Sequence, residues 1–257
     1  MKRTKKTKPL LPYSTLDSIS NNIDNIPNYH IVVRLLHIWE ARDFKTNNVL
    51  LSFECLLLDE KDCTIQASIL PHRIHKFKED LVEGQLFSIT DFDVELATNR
   101  YRRSNHSCKL LFTENTVLDD VKDEQCDVGK ESFRMFTYSE MFLMMDKGED
   151  LPDVVAQIAT FKAADKKSKE NPSKTSLNLI LTCTLDSGDT AYISLWEDLA
   201  STSLTKLTNH ANQPVLLIAT HLNPRKFMGN LYLNGTASTK LIYYRRLISY
   251  GMGESKV

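Results

Sequence analysis

The 257-residue sequence predicts an all-β chain with a few short helices, organised as two successive five-stranded barrels. Three observations carry that expectation. Short segments rich in β-branched, aromatic and leucine side chains follow one another from Tyr29 onward, each bounded by turn residues. The order strand–strand–strand–helix–strand–strand occurs twice. A divergent internal repeat lays "LLLDEKDCTIQASIL" on "TCTLDSGDTAYISLW", which sets Leu70 opposite Trp196.

Taken in order, residues 1–26 read as a tail. Five of the first eight residues, "MKRTKKTK", are cationic, and a polar stretch follows. Such a tail is either a solvated arm, a nuclear-import signal or a nucleic-acid arm. The first barrel is expected over residues 27–120. Its strands are "YHIVVRLLHIW", "VLLSFECLLLD", "CTIQASIL", "LFSITDFDVEL" and "CKLLFTENTVL". Between the third and fourth, Ile74, Phe77 and Leu81 fall at helical spacing, with Gly84 as a stop signal.

Residues 121–135 are charged and weakly periodic, and read as a linker. The second barrel is expected over 136–247, opened by a short helix "YSEMFLMM". Its strands are "VVAQIATFKA", "LNLILTCTLD", "TAYISLW", "PVLLIATHLN" and "GNLYLNGTASTKLIYY", with a helix "EDLASTSLTKLTNH" after the third. Residues 248–257 form a C-terminal tail. Counting forward from the repeat, Tyr101 lies 31 residues after Leu70 and Phe227 lies 31 after Trp196. Both rings stand beside cations, in "NRYRR" and "NPRKFMGN", which suggests equivalent loops between the last two strands.

Composition excludes several classes. Five cysteines (Cys55, Cys63, Cys108, Cys126 and Cys183) are an odd number without a CxxC pair, which argues against a disulfide framework and a zinc ribbon. No apolar run approaches the roughly 18–20 residues of a membrane span, and no signal-peptide core follows the N-terminus. GxxxxGK[ST], HExxH and GxSxG are absent, so no catalytic site, metal site or cofactor is expected. His72 and His75 stand at i, i+3 spacing but lack further ligands. The net charge of −1 offers no global electrostatic argument for nucleic acid. Local cations do: Arg100, Arg102 and Arg103 flank Tyr101, while Arg225 and Lys226 precede Phe227.

Five strands with a helix between the third and fourth is the order of the OB-fold. Its ligand surface lies around strands 2 and 3, between the loops joining strands 1–2 and 4–5. Within the expected second barrel the loop "FKAADKKSKENPSKTSL" adds Lys162, Lys166, Lys167, Lys169 and Lys174 on that side. The first half is acidic, with 11 Lys and Arg against 15 Asp and Glu over 27–120, whereas 136–246 holds 12 against 11. Most affinity is therefore expected in the second barrel.

The residues quoted above, together with "KFKEDLVEGQLFSITDFDV", "YRRSNHSCKLLFTENTVL" and "LPDVVAQI", resemble the central tandem DNA-binding domains of the replication protein A large subunit. They are most similar to the expanded plant set of replication-factor-A-like OB proteins, over roughly residues 27–247. The resemblance implies single-stranded DNA binding with little sequence preference and two stacking aromatics per barrel, one on strand 3 and one in the loop between strands 4 and 5. Trp196 and Phe227 fill both positions in the second half. In the first half Tyr101 fills the loop position, but Leu70 stands at the strand-3 position and offers no π-face. The family's protein-docking and zinc-ribbon barrels have no counterpart here.

The expected site therefore comprises Trp196, Phe227, Tyr101, Arg100, Arg102, Arg103, Arg225, Lys226, Lys166, Lys167 and Lys169, where bases stack on rings and phosphates meet cations. Along "AYISLW", Ala191, Ile193 and Leu195 share one face and Tyr192, Ser194 and Trp196 the other, which points Trp196 outward. Trp39 is expected at a barrel rim, and His106 at either a phosphate or a structural hydrogen bond. The partners expected are single-stranded DNA and replication protein A-type subunits, with no membrane and no small-molecule substrate, in the nucleus. A protein-docking role for the barrels, or RNA binding, stays open.

Overall fold

The computed structural model describes residues 11–21, 28–43, 46–167, 175–209, 215–245 and 255–256; of 166, 167, 245, 255 and 256 it describes the backbone alone. Two compact units divide the chain. The first takes residues 1–98 and 104–132, the second 99–103 and 133–257.

In the first unit, β1 (Ile31–Asp43), β2 (Val49–Leu58) and β3 (Thr64–Ile69) form an antiparallel meander. A 3-10 turn, Pro71–Arg73, leads into the one-turn helix α1 (Ile74–Phe77), shorter than the spacing of Ile74, Phe77 and Leu81 predicts. There follow β4 (Leu86–Thr90), β5 (Asp93–Leu96), β6 (Cys108–Leu111) and β7 (Val117–Val121). The sheet order is β5-β6-β3-β2-β1-β4-β7, with β3 and β6 parallel. β4 and β5 are two halves of one bent strand. The bend lies at Asp91, whose φ is 58°. One half pairs with β1 and the other with β6, so the sheet closes on itself. This is the OB barrel.

The second unit repeats it. After α2 (Tyr138–Met144) come β8 (Val154–Lys167), β9 (Thr175–Leu185), β10 (Thr190–Trp196), α3 (Glu197–Thr208), β11 (Val215–Ala219), β12 (Asn223–Phe227), β13 (Asn230–Asn234) and β14 (Leu241–Arg245). The order β12-β13-β10-β9-β8-β11-β14 reproduces the first barrel strand for strand, including a parallel β10–β13 pair and a bend at His221, φ 52°. Each bend is tied by the same device. Thr113 and Thr116 both donate from their hydroxyls to the Asp91 carbonyl at 2.9 and 2.8 Å. Thr236 and Thr239 donate to the His221 carbonyl at 2.9 and 3.3 Å. A non-glycine residue at positive φ is strained, and these paired hydroxyls hold the carbonyl it displaces.

Each barrel has its own core. Val33, Leu35, Leu57, Ile65, Phe87 and Phe112 fill the first; Leu179, Leu181, Ile193, Leu195, Leu217 and Leu233 fill the second. α3 closes the second by burying Ala200, Ser203 and Leu207 along one stripe. α2 is started by a reciprocal cap. Glu140 N–H donates to Thr137 Oγ1 at 3.3 Å and the Glu140 carboxylate accepts from Thr137 N–H at 2.7 Å.

Three stretches differ from the sequence reading. Part of the supposed tail is core: Leu16 and Ile19 are buried in the first barrel, and Leu16 N–H donates to Asp59 at 2.7 Å. The basic residues 1–8 lie outside the described residues. The stretch read as a linker is packed as far as residue 132. Val128, with Cys126 beside it, joins Leu36, Trp39, Leu56 and Leu86 in an outer apolar cluster on β1 and β2. Arg34 pins it by donating to the Val128 and Gly129 carbonyls at 2.9 and 2.8 Å and to Asp123 at 2.8 Å. Trp39 accordingly sits within β1, buried in that cluster, and not at a strand end on a rim.

Candidate nucleic-acid interface

β10 alternates as its sequence dictates. Ala191, Ile193 and Leu195 are fully buried, while Tyr192 and Trp196 emerge on the outward face, Trp196 37% exposed. Trp196 ends the strand and occupies the N-cap position of α3, whose first residue, Glu197, has φ 50°. Beneath it, buried Asn178 donates to the Ser194 hydroxyl and the Leu195 carbonyl, both at 3.1 Å, which fixes the strand end that carries the indole.

Register extends this face across the sheet. Tyr192 lies opposite Tyr232 in the parallel β10–β13 pair, and Tyr232 opposite Arg225 in the antiparallel β13–β12 pair. Directly opposed residues share a face, and Phe227, two on from Arg225, shares it too. The rings touch. Tyr192 and Tyr232 stack at 4.9 Å between centroids and 17° between planes, and Phe227 meets Tyr232 edge-to-face at 5.3 Å and 83°. Phe227 nonetheless stays 54% exposed. Ile180 and Thr182 of β9 and Lys162 of β8 continue the surface.

Phe227 is the last residue of β12, not a loop residue. It pairs with Asn230 across a two-residue turn, Met228 and Gly229, at φ 49° and 80°. The equal 31-residue spacing therefore does not make Tyr101 its counterpart. Asp93 pairs with Leu111 as Asn223 pairs with Asn234, so in the first barrel Ala97 holds the register position that Phe227 holds in the second. The connection through α3 is longer in the second barrel by as many residues as Tyr101 lies beyond Ala97, so the match in spacing is accidental.

Tyr101 and its arginines go elsewhere. Residues 99–103 belong to the second unit. Tyr101, at φ 54°, donates from its N–H to the Gly148 carbonyl at 3.0 Å, and its ring lies against Gly148. A Cβ on Gly148 would come within 3.0–3.2 Å of the ring. Arg102 and Arg134 each donate to Asp150 at 2.6 Å. Burial opposes the Asp150 carboxylate, but the two guanidiniums outweigh it and hold its pKa below the ordinary value. Arg103 donates to Ser238 at 2.6 Å. Arg100 stays on the exterior, 5.7 Å over the Tyr101 ring. Arg102 and Arg103 are thus committed to the protein.

The other cations are dispersed. Arg225 lies beside Tyr232 and 3.6 Å from Asp146. Lys226 is exposed on the opposite face of β12. Lys166 and Lys167 lie at the end of β8, so the predicted loop begins later than read; Lys169 and Lys174 lie outside the described residues. His106 is structural: Nε2 reaches the Leu16 carbonyl at 2.9 Å and Nδ1 accepts from Cys108 N–H at 3.0 Å.

The same face of the first barrel is built differently. Ser68 holds the register position of Ser194, so Glu54 stands where the second barrel has Ile180, and Leu70 where it has Trp196. Glu54 is only 5% exposed and accepts from Gln66 at 2.6 Å, from Ser68 at 2.9 Å and from Ser52. Trp39 of β1 pairs directly with it. An acceptor-only carboxylate replaces the aromatic floor.

Known proteins share this architecture. Residues 21–141, just under half the chain, match the family model "Domain of unknown function DUF223". One replication protein A 70 kDa DNA-binding subunit of Arabidopsis thaliana is 22% identical over 167 residues, covering 65% of this chain and 28% of its own length. Another 70 kDa DNA-binding subunit from the same organism is 23% identical over 206 residues, with 79% and 32% covered. The backbone matches that of a replication protein A heterotrimer bound to ssDNA with a TM-score of 0.59 at 15% identity, over 90% of this chain and 51% of that one. In sequence the chain is similar to these replication protein A 70 kDa subunits, and its backbone has the OB fold. The chain spans about a third or less of the length of the curated relatives it matches.

Two features of it escape the sequence reading. Tyr192 and Tyr232 are visible as aromatic positions, but only strand register brings them together. The Thr-x-x-Thr pairs, "TENT" and "TAST", are a legible repeat once the bent strand is known.

Proposed function

We propose that the chain is a non-enzymatic binder of single-stranded DNA, with the outward face of β10, β13 and β12 as its principal site. The observation that carries this is the run Trp196, Tyr192, Tyr232 and Phe227 on one solvent-facing side of the second barrel. Large rings left exposed together on a sheet are unfavourable unless something covers them. Nucleobases, each with a π-face, do so at about 1–3 kcal/mol per stacked base whatever their sequence. Trp196 and Phe227 are the stacking platforms, and Arg225, Lys162 and the lysines at and beyond the end of β8 attract the backbone, while Lys226, on the opposite face of β12, lies off this path. Tyr101 and Arg100 add an outlying contact of the second unit, while Arg102 and Arg103 act by holding that segment in place. The relatives' names as DNA-binding subunits support the reading and favour a nuclear role in DNA maintenance alongside replication protein A-type subunits.

Fluorescence anisotropy with labelled oligo(dT) tests it. Trp196→Ala combined with Phe227→Ala abolishes most binding, and unchanged affinity refutes the stacking site. For the first barrel a protein-docking role is the better reading, because Leu70 stands where the second barrel has Trp196 and residues 27–120 are acidic overall. Oligo(dT) binding to the first barrel with an affinity matching the second would exclude that.

A further inference from the structure

Trp196 and Phe227 are far apart for two rings serving one strand. Trp196 lies four residues beyond Tyr192 on β10, and Phe227 pairs with Asn230, two residues the other way from Tyr232. At about 3.3 Å per residue the two rings are offset by roughly 20 Å along the strands. That is about six steps at the 3.4 Å per nucleotide of a stacked strand, and fewer when the strand is extended. Nucleotides must therefore pass between them, over Tyr192 and Tyr232.

These tyrosines are poorly arranged to stack on a base. Each covers a face of the other, and Phe227 meets Tyr232 as well. Side chains on a sheet stand roughly perpendicular to it, so a half-buried tyrosine on the outward face leads with its hydroxyl. Among the described residues no hydrogen bond engages either hydroxyl, and Arg225 stands directly across from Tyr232. Two adjacent hydroxyl groups beside a guanidinium suit phosphate and sugar oxygens.

We propose that Tyr192 and Tyr232 form a third subsite of the second barrel, which hydrogen-bonds the sugar–phosphate backbone of the nucleotides between the base on Trp196 and the base on Phe227. This rests on the single-strand reading above and adds a backbone grip to its two base platforms. The paired rings supply rigidity, since each hydroxyl is carried on a side chain already immobilised by its neighbour.

The test compares the full chain with its Tyr192→Phe/Tyr232→Phe variant, which keeps the ring stack and removes both hydroxyls. Anisotropy with oligo(dT) is expected to show about a tenfold loss of affinity at an unchanged Tm. An oligo(dT) with uncharged methylphosphonate linkages at its centre should bind the wild type more weakly and the variant with little further loss. Wild-type affinity in the variant overturns the subsite, even if Tyr232→Leu weakens binding, because the rings would then serve only to position Phe227. Failure of the subsite alone leaves quenching of Trp196 emission by oligo(dT) intact. Failure of the stacking reading removes that quenching from the wild type and the subsite with it.

Discussion

Placing a carboxylate at Ile180 should convert the second barrel's floor to the first barrel's character. Ile180 is half-buried on the outward face, opposite Ser194 on one side and Lys162 on the other, one strand away from the line between Tyr192 and Trp196. Its register counterpart is Glu54, so the barrel tolerates the longer side chain there. On the proposed path a strand crossing this face would bring a phosphate within about 6 Å, the range over which neighbouring charges couple. Two like charges at that distance repel by about 0.7 kcal/mol in bulk water and about 2.8 kcal/mol at an effective dielectric of 20. This corresponds to about a three- to hundredfold loss of affinity. Lys162 across the pair offsets part of the charge, which places the expected loss for Ile180→Glu near tenfold (about 1.4 kcal/mol) at low salt. Anisotropy titration with oligo(dT) at rising ionic strength reads it, and the gap between variant and wild type should narrow as the screening length falls from about 10 Å at 0.1 M to about 3 Å at 1 M. Equal affinities at low salt, in a variant whose Tm matches the wild type, would refute the placement of the strand over β9 and β10.

Asp150→Ala leaves Arg102 and Arg134 without their shared carboxylate; Arg134 is nearly buried. Breaking a buried pair by removing one partner costs about 3 kcal/mol or more, so denaturant unfolding should show a loss of that size, and a change under about 1 kcal/mol would show that the ion pairs hold nothing. Asp153 gives a pH dependence of defined sign. Burial raises its pKa to about 6, against hydrogen bonds from the Arg134 and His221 N–H groups. The folded chain holds this proton more tightly than the unfolded one, so its stabilising contribution is complete below about pH 4 and lost as pH rises through about 6, by about 3 kcal/mol. Asp153→Asn should flatten that part of the stability–pH curve, and an unchanged curve would remove Asp153 as its source. Asp150 slopes the other way, with stability lost as pH falls, because its pKa is lowered.

Much of the architecture is legible in the sequence because alternation and helix placement are local properties. "AYISL" declares which face of β10 is buried, and "EDLASTSLTKLTNH" declares the helix that caps the barrel. Trp196 is readable for the same reason. The bent fourth strand is not, since its pivot is an Asp in one barrel and a His in the other, each held at positive φ by threonines more than ten residues away. Nor is the fate of "NRYRR". A cluster of cations around a ring looks alike whether it meets a phosphate or Asp150 and Ser238, and only the tertiary partners distinguish the two. Glu54 lies in a strand pattern that reads as uniformly apolar, "VLLSFECLLL", and its three hydrogen-bond donors come from two different strands.

The protein's own fluorescence gives the sharpest test of base stacking on the second barrel. The chain has two tryptophans, Trp39 buried at 5% exposure in the outer cluster of the first unit and Trp196 at 37% on the outward face of the second. A base stacked on Trp196 should quench the exposed indole and leave the buried one unaffected. Titration with oligo(dT) is predicted to give a saturable quench that disappears in Trp196→Phe. No quench in the wild type, or an undiminished quench in that variant, would contradict the stacking site.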